Sequence, residues 1–287
     1  MQKNIEMSDN ELDQILGTSQ EQSQKYRTFT VDNGSDLLGT GATGDFVEKK
    51  YDAEKKEAEK TNFAPEFPGV ILSAKAKLVD KGKTPTWVTS EFDRSNQAEQ
   101  ISVYQLKKDG SFVKDNDGKV KKKFMTYNEI ETARQVPQPD GSKQSTYNYN
   151  IILYIWLDTD EDEIIKLKFK GTARGNYFNY SRHLSSLGAK LYNVETTFST
   201  YTDKETGKYT IAFKIVEKKD GSPASVDAEK VREMRIKIAN NVMSFKNKQI
   251  AQPAQEQLPE PENQEDASAD INMEDLEETG AFDPERR

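Results

Sequence analysis

Apolar residues recur at every second position through the middle of the chain, and that period predicts a mainly β protein with flanking helices. From residue 69, Val70, Leu72, Ala74, Ala76 and Leu78 alternate with Ser73, Lys75 and Lys77, the pattern of a half-buried strand. Residues 100–106 and 111–126 follow as a hairpin, with a Lys-Lys-Asp-Gly turn and a second Asp-Asn-Asp-Gly turn inside it. Two prolines and a glycine make 134–145 a loop. In the strongest strand, 147–157, the odd positions from Tyr147 to Leu157 are core-like, while the even ones include Tyr154 and Trp156. Its partner at 164–170 turns Ile165, Leu167 and Phe169 inward and Lys166, Lys168 and Lys170 outward. Matching the inward faces places Trp156 near Lys166 and Tyr154 near Lys168, because a one-residue slip buries lysines. Two more strands, 191–201 and 208–216, form a second hairpin.

Helical spacing appears at 173–187, where Gly188 supplies the stop, and at 227–246, where Ala228, Val231, Met234, Ile238, Val242 and Phe245 make one stripe. A short acidic helix is expected at 8–16. The Glu, Lys and Ala of 45–60 predict another, almost without an apolar stripe and therefore solvated. The chain divides into a polar, partly disordered arm (1–60), one domain (61–248, with an insertion at 80–146) and a disordered acidic tail (249–287).

Charge sharpens this division. Residues 251–287 hold twelve Asp and Glu against Arg286 and Arg287, so the tail accounts for the whole formal charge of −8; without it the chain is at +2, and 61–250 is at +7. A basic, aromatic-rich body beside an acidic tail suits a protein that binds a polyanion and lets its own tail compete for the site. There is no Cys, and His183 is the single His, which argues against disulfides, structural zinc, thiolate chemistry and a histidine base. No metal, cofactor or catalytic constellation is expected. The polar N-terminus and the short apolar runs predict a cytoplasmic protein that does not engage membranes.

Five strands with a helix between the third and fourth is the order of an OB-fold, here an OB-fold-like five-stranded barrel with an inserted hairpin and a C-terminal helix. With the acidic tail, this resembles the single-stranded DNA-binding proteins of tailed phages. The resemblance covers roughly 68–216 plus the tail and rests on pattern rather than on a diagnostic motif. It implies a non-enzymatic protein that coats single-stranded DNA, with RNA an alternative, during replication or recombination in the host cytoplasm. It also implies contacts with replication or recombination proteins through the tail, where Asp275, Leu276, Glu277 and Phe282 offer acids and apolar grips. The residues themselves leave a second reading open, a structural or assembly protein of the virion type that uses the same barrel to bind protein.

The expected binding face is Tyr154, Trp156, Lys166, Lys168 and Lys170, extended by Lys75 and Lys77: rings stack on bases and lysines follow phosphates. The bland alternative is that the insertion roofs this face and the lysines only solubilise it. Arg174, beside Tyr177 and Tyr180, is placed to help hold a backbone, although such tyrosines more often plug a barrel end. Lys121 and Lys122, with Lys119 and Lys123, form a basic hairpin limb suited to clamping phosphate or simply to solvation. Gly39, Gly41 and Gly44 mimic a dinucleotide loop but lack a preceding strand, and Asp158, Asp160 and Asp162 mimic a calcium loop without its Gly and Glu. They read as a linker and a turn.

Overall fold

Alternation in the middle of the chain builds one large sheet, and the described helices lie on its two faces. The computed structural model describes residues 26–34, 43–52, 57–159, 162–219 and 221–250. The expected helix at 8–16 and the tail from 251 onward, including Asp275, Leu276, Glu277 and Phe282, lie outside the described residues. The central strands are β4 (Glu66–Asp80), β10 (Tyr147–Leu157) and β11 (Glu163–Phe169), each close to its expected span. Strand order is β3-β2-β1-β11-β10-β4-β5-β6-β7, where β1 is Thr28–Val31, β2 Phe46–Asp52, β3 Glu57–Ala64, β5 Trp87–Thr89, β6 Ile101–Gln105 and β7 Lys122–Met125. A second branch leaves β4 at its N-terminal end, where β12 (Thr196–Thr202) pairs with it and with β13 (Tyr209–Ile215).

The sheet is mixed and open rather than a closed five-stranded barrel. β1 runs parallel to β11 and takes the edge that a closing strand would need, while β13 is hydrogen-bonded in ladder fashion to β12 alone. Contact across this gap runs through side chains: Asn33 accepts from the Tyr209 amide at 2.6 Å and donates to its carbonyl at 3.1 Å.

Parts of the expected arm, residues 28–31, 46–52 and 57–60, are sheet. Within 45–60, residues 46–52 and 57–60 belong to the antiparallel β2–β3 pair instead of a helix, because Phe46 and Val47 are fully buried and tertiary burial overrides the helix preference of Glu, Lys and Ala. Asp32 anchors the segment, accepting from Lys60 Nζ at 2.5 Å and from Thr43 Oγ1 at 2.9 Å. These bonds and that of the Gly34 amide outweigh the burial that would raise the Asp32 carboxyl, and hold it below its ordinary value.

In β4 the alternation breaks once. Tyr154 pairs with Ser73 but Ile155 with Ile71, leaving Leu72 as the extra residue of a bulge. Val70 and Leu72 consequently face away from Ala76 and Leu78, and Ile71 takes the core position. The expected single apolar face of β4 is thus two faces.

The insertion 80–146 contributes β5, β6 and β7, then α1 (Tyr127–Ala133) and a small β8–β9 hairpin (Gln135–Pro137, Lys143–Ser145) where only loop was expected. A capping box starts α1, with Thr126 and Glu129 bonded reciprocally. α2 (Thr172–Ser186) packs on β13 and ends at Gly188, whose φ of +67° favours glycine. α3 (Ala228–Ile250) continues past the expected 227–246. Its Val231, Met234, Ile238 and Ala239 lie on the opposite face of the sheet from the main core, against Val70, Leu72, Ile152, Tyr154, Trp156 and Ile164. Val242 and Phe245 lie outside the described side chains. No helix among the described residues is long and apolar enough to cross a membrane.

Candidate nucleic-acid interface

The register gathers the expected binding residues on one face. Tyr154 is paired with Lys166, Ile152 with both Lys168 and Lys75, and Asn150 with Lys77. The offset differs from expectation by two residues, so Trp156 meets Ile164 rather than Lys166 and Tyr154 meets Lys166 rather than Lys168. A shift of two preserves the faces, which is why the inward pattern was right while the partners were not.

That face is closed. Tyr154 is 1% and Trp156 2% exposed, and Lys75 is 3% exposed. The roof is mainly α3, with Glu91 of the insertion and Tyr26 of the arm closing over Tyr154. The Trp156 indole donates to Asp162 Oδ1 at 3.2 Å, while Lys230 from α3 lies over its ring and bonds the same oxygen at 2.9 Å. Glu91 sits between Tyr154 and Lys166, accepting from the Tyr154 hydroxyl through Oε2 and from Lys166 Nζ at 2.8 Å through Oε1. Burial pushes the Glu91 carboxyl upward, but the Lys166 ammonium, the Tyr154 hydroxyl and the charge of Lys77 outweigh it and hold it below its ordinary value. Tyr154, Trp156, Lys166 and Lys75 are therefore parts of a packed and paired interior. Lys77, Lys168 and Lys170 are half-buried around it.

Two physical facts produce this result. The apolar stripe of a long helix needs a surface to cover, and the face with the aromatics also carries Val70, Leu72, Ile152 and Ile164. Ile152 standing among outward positions was the signal in the sequence.

A different set of cations and rings assembles on the other face, where β10 enters the sheet beneath the insertion. The capping box of α1 places Tyr127 in its first turn, β5 brings Trp87, and β10 opens with Tyr147 and Tyr149. Ring centroids lie 6.5 Å apart for Tyr127 and Tyr149 and 6.2 Å for Trp87 and Tyr147. Three guanidiniums lie over these rings. Arg94 is 5.6 Å from the Tyr127 centroid and 5.7 Å from that of Tyr149, Arg174 is 5.2 Å from Tyr149, and Arg134 is 4.6 Å from Trp87. Arg94 is exposed and the other two half-exposed.

Among the described residues, no carboxylate comes within ion-pair distance of Arg94, Arg134 or Arg174. Asp93 is close enough to act on Tyr149 and Tyr177 electrostatically, but its Oδ1 accepts from the Ser95 amide at 2.8 Å and hydroxyl at 2.7 Å. Burial raises the Tyr149 hydroxyl to about 12 even though Arg94 and Arg174 both pull it down. Burial, together with Tyr147, likewise raises Tyr127. Tyr127 and Tyr149 therefore stay neutral. A stacked guanidinium keeps its in-plane N–H donors for ligands.

Of the sequence candidates, then, Arg174 joins this cluster, while Tyr177 and Tyr180 behave as interior plugs, Tyr180 sharing a 2.6 Å hydrogen bond with Thr196. Lys122, on β7, and Lys121 just before it are exposed at the far edge of the sheet, four strands from β10. Arg94, Arg134, Trp87, Tyr127 and Tyr149 were not anticipated as a site. Thr126-Tyr-Asn-Glu129, a capping-box signature, was the available clue to α1. No group of three or more side chains able to hold a metal forms among the described residues. No family model matches the chain, and neither a curated protein nor a solved structure matches it significantly.

Proposed function

We propose that the protein binds single-stranded nucleic acid, DNA in the first instance, and coats it without catalysis during replication or recombination. The observation that carries this reading is the row of Arg94, Arg134 and Arg174 stacked on Tyr149, Tyr127 and Trp87 with no carboxylate paired to them among the described residues. Fixed positive charge without an internal counter-ion favours an external anion, and planar forks match phosphate oxygens. Connectivity supports the reading too. β4, β10, β11, α2, β12 and β13 follow one another as in an OB-fold, and β4 pairs with both β10 and β12. The body at +7 beside a tail at −10 supports a regulatory role for the tail, with Asp275, Leu276, Glu277 and Phe282 recruiting partner proteins.

Anisotropy of labelled oligo-dT across a salt series tests the proposal. Wild-type affinity should fall steeply with salt, and R94A/R174A should both weaken binding and flatten the log–log slope by about 1.4, two phosphate contacts at about 0.7 each. Absence of salt-dependent binding, or an unchanged slope in the variant, refutes it. A stable oligomer indifferent to oligonucleotide would instead mark an assembly protein. Ending the chain at Gln249 should tighten binding if the tail competes for the site, and equal affinity removes that role.

A further inference from the structure

The hairpin limb 107–123 and its edge strand β7 carry a second cation–ring arrangement, on the face of the sheet opposite the arginine row. Phe124 is 59% exposed, the highest value among the large apolar side chains described. It stands opposite Ser102 on β6, two residues from Lys122, which stands opposite Tyr104. Lys122 Nζ is 5.5 Å from the Phe124 centroid, and Tyr104 packs on Phe112 with centroids 5.2 Å apart. A phenyl ring left in water contributes little to folding, and this one stands among ammonium groups at the end of the sheet.

Charge selects the partner. The limb 107–123 holds seven lysines and three aspartates, a net +4 in 17 residues. The Asp109 and Asp115 carboxylates are engaged with their own turns: Asp109 accepts from the Ser111 amide and hydroxyl at 3.0 and 2.7 Å, and Asp115 from the Asp117 and Lys119 amides at 3.0 and 2.9 Å. Lys119, Lys121, Lys122 and Lys123 are all exposed. The limb therefore presents a surplus of positive charge around an open ring, which fits a strand with unpaired bases. Bases stack on the ring while phosphates lie among the ammonium groups.

We infer that Phe124 is a base-stacking platform, flanked by Lys121, Lys122 and Lys123, that forms an auxiliary contact for single-stranded nucleic acid outside the arginine row. This inference rests on the nucleic-acid reading above. A base stacked on the ring predicts that F124A binds an oligo-dT of ~30 nucleotides on the order of tenfold more weakly than wild type. Phe124→Trp should retain affinity and add an exposed emission, since Trp87 and Trp156 are buried, and that added emission should be quenched as oligo-dT is titrated in. If wild type binds and R94A/R174A weakens binding, yet F124A matches wild type and the added Trp is not quenched, the platform is wrong and the nucleic-acid reading survives; the ring then serves a protein surface. If wild type itself binds no oligonucleotide, the nucleic-acid reading falls, and the platform with it.

Discussion

Replacing Glu91 with Ala tests whether the aromatic and lysine face is interior, as the structure has it, or a surface awaiting a ligand. Glu91 holds two groups at once, Lys166 at 2.8 Å and the Tyr154 hydroxyl, with side-chain exposures of 18% for Lys166 and 13% for Glu91. Deleting one partner of a buried pair costs about 3–5 kcal/mol, because the remaining charge stays desolvated without its counter-ion. Both ends retain some water, which sets the expectation at the lower limit, about 3 kcal/mol. With a urea m-value of about 2–3 kcal/mol/M, the unfolding midpoint should fall by roughly 1 M, followed by emission from the buried Trp87 and Trp156. The pH dependence has a definite sign. The folded Glu91 carboxyl lies below its ordinary 4.5, so its stabilisation is complete above that pH and is lost as pH falls through the depressed native value. The gap between wild type and E91A should therefore be widest near neutrality and shrink in acid. Adding Lys166→Met to E91A should recover stability by removing the stranded charge. A midpoint unchanged at neutral pH, or a gap that widens in acid, refutes the paired interior.

Three further substitutions probe neighbouring parts of the same architecture. I238A removes a side chain that α3 buries against the Trp156 layer and should cost about 2–5 kcal/mol, with Trp156 emission shifting red at lower urea than in wild type. Gly69→Ala places a methyl group 2.6 Å from Ile155 Cγ2 and 3.0 Å from the Trp156 carbonyl oxygen, an overpacking expected to lower stability by about 1–3 kcal/mol by thermal melting. T126A removes the cap of α1 and should cost about 1 kcal/mol. Amides of 127–133 should then exchange faster, and oligo-dT affinity should fall if Tyr127 positions Arg94, whereas unchanged exchange would deny the capping role.

The strands of the body were legible because each carries a period-two pattern strong enough to survive its surroundings. β10, β11 and β13 fall within a residue or so of expectation, and their inward faces are the ones read from the sequence. β2 and β3 were not legible, since Glu, Lys and Ala between Asp45 and Lys60 favour a helix locally. The burial of Phe46 and Val47 decides otherwise, and it depends on partners distant in sequence: Phe46 packs edge-on against Phe67, and β2 pairs with β1, which itself pairs with β11 more than a hundred positions away. The bulge at Leu72 was hidden for a similar reason: an extra residue changes the parity of everything before it, while the sequence still looks like one alternating strand.

The candidate site was illegible in a more instructive way. Parity placed Tyr154, Trp156 and the lysines of β11 together correctly, but parity assigns residues to a face without saying what lies on it. Deciding that requires an apolar balance. Val70, Leu72, Ile152 and Ile164 share the face with the aromatics, and the described part of the α3 stripe, Val231, Met234, Ile238 and Ala239, packs on them, so the two surfaces exclude water from each other. Lysines left at the margin then find Glu91 inside instead of phosphate outside. The arginine row escapes this fate by composition. Its rings are largely buried in the main core, its guanidiniums stand at the boundary, and no carboxylate among the described residues lies within ion-pair distance of them. A cation whose neighbours leave its charge uncompensated is a better guide to an anion site than an aromatic on an outward parity, because the aromatic can always be claimed by the protein's own hydrophobic surface.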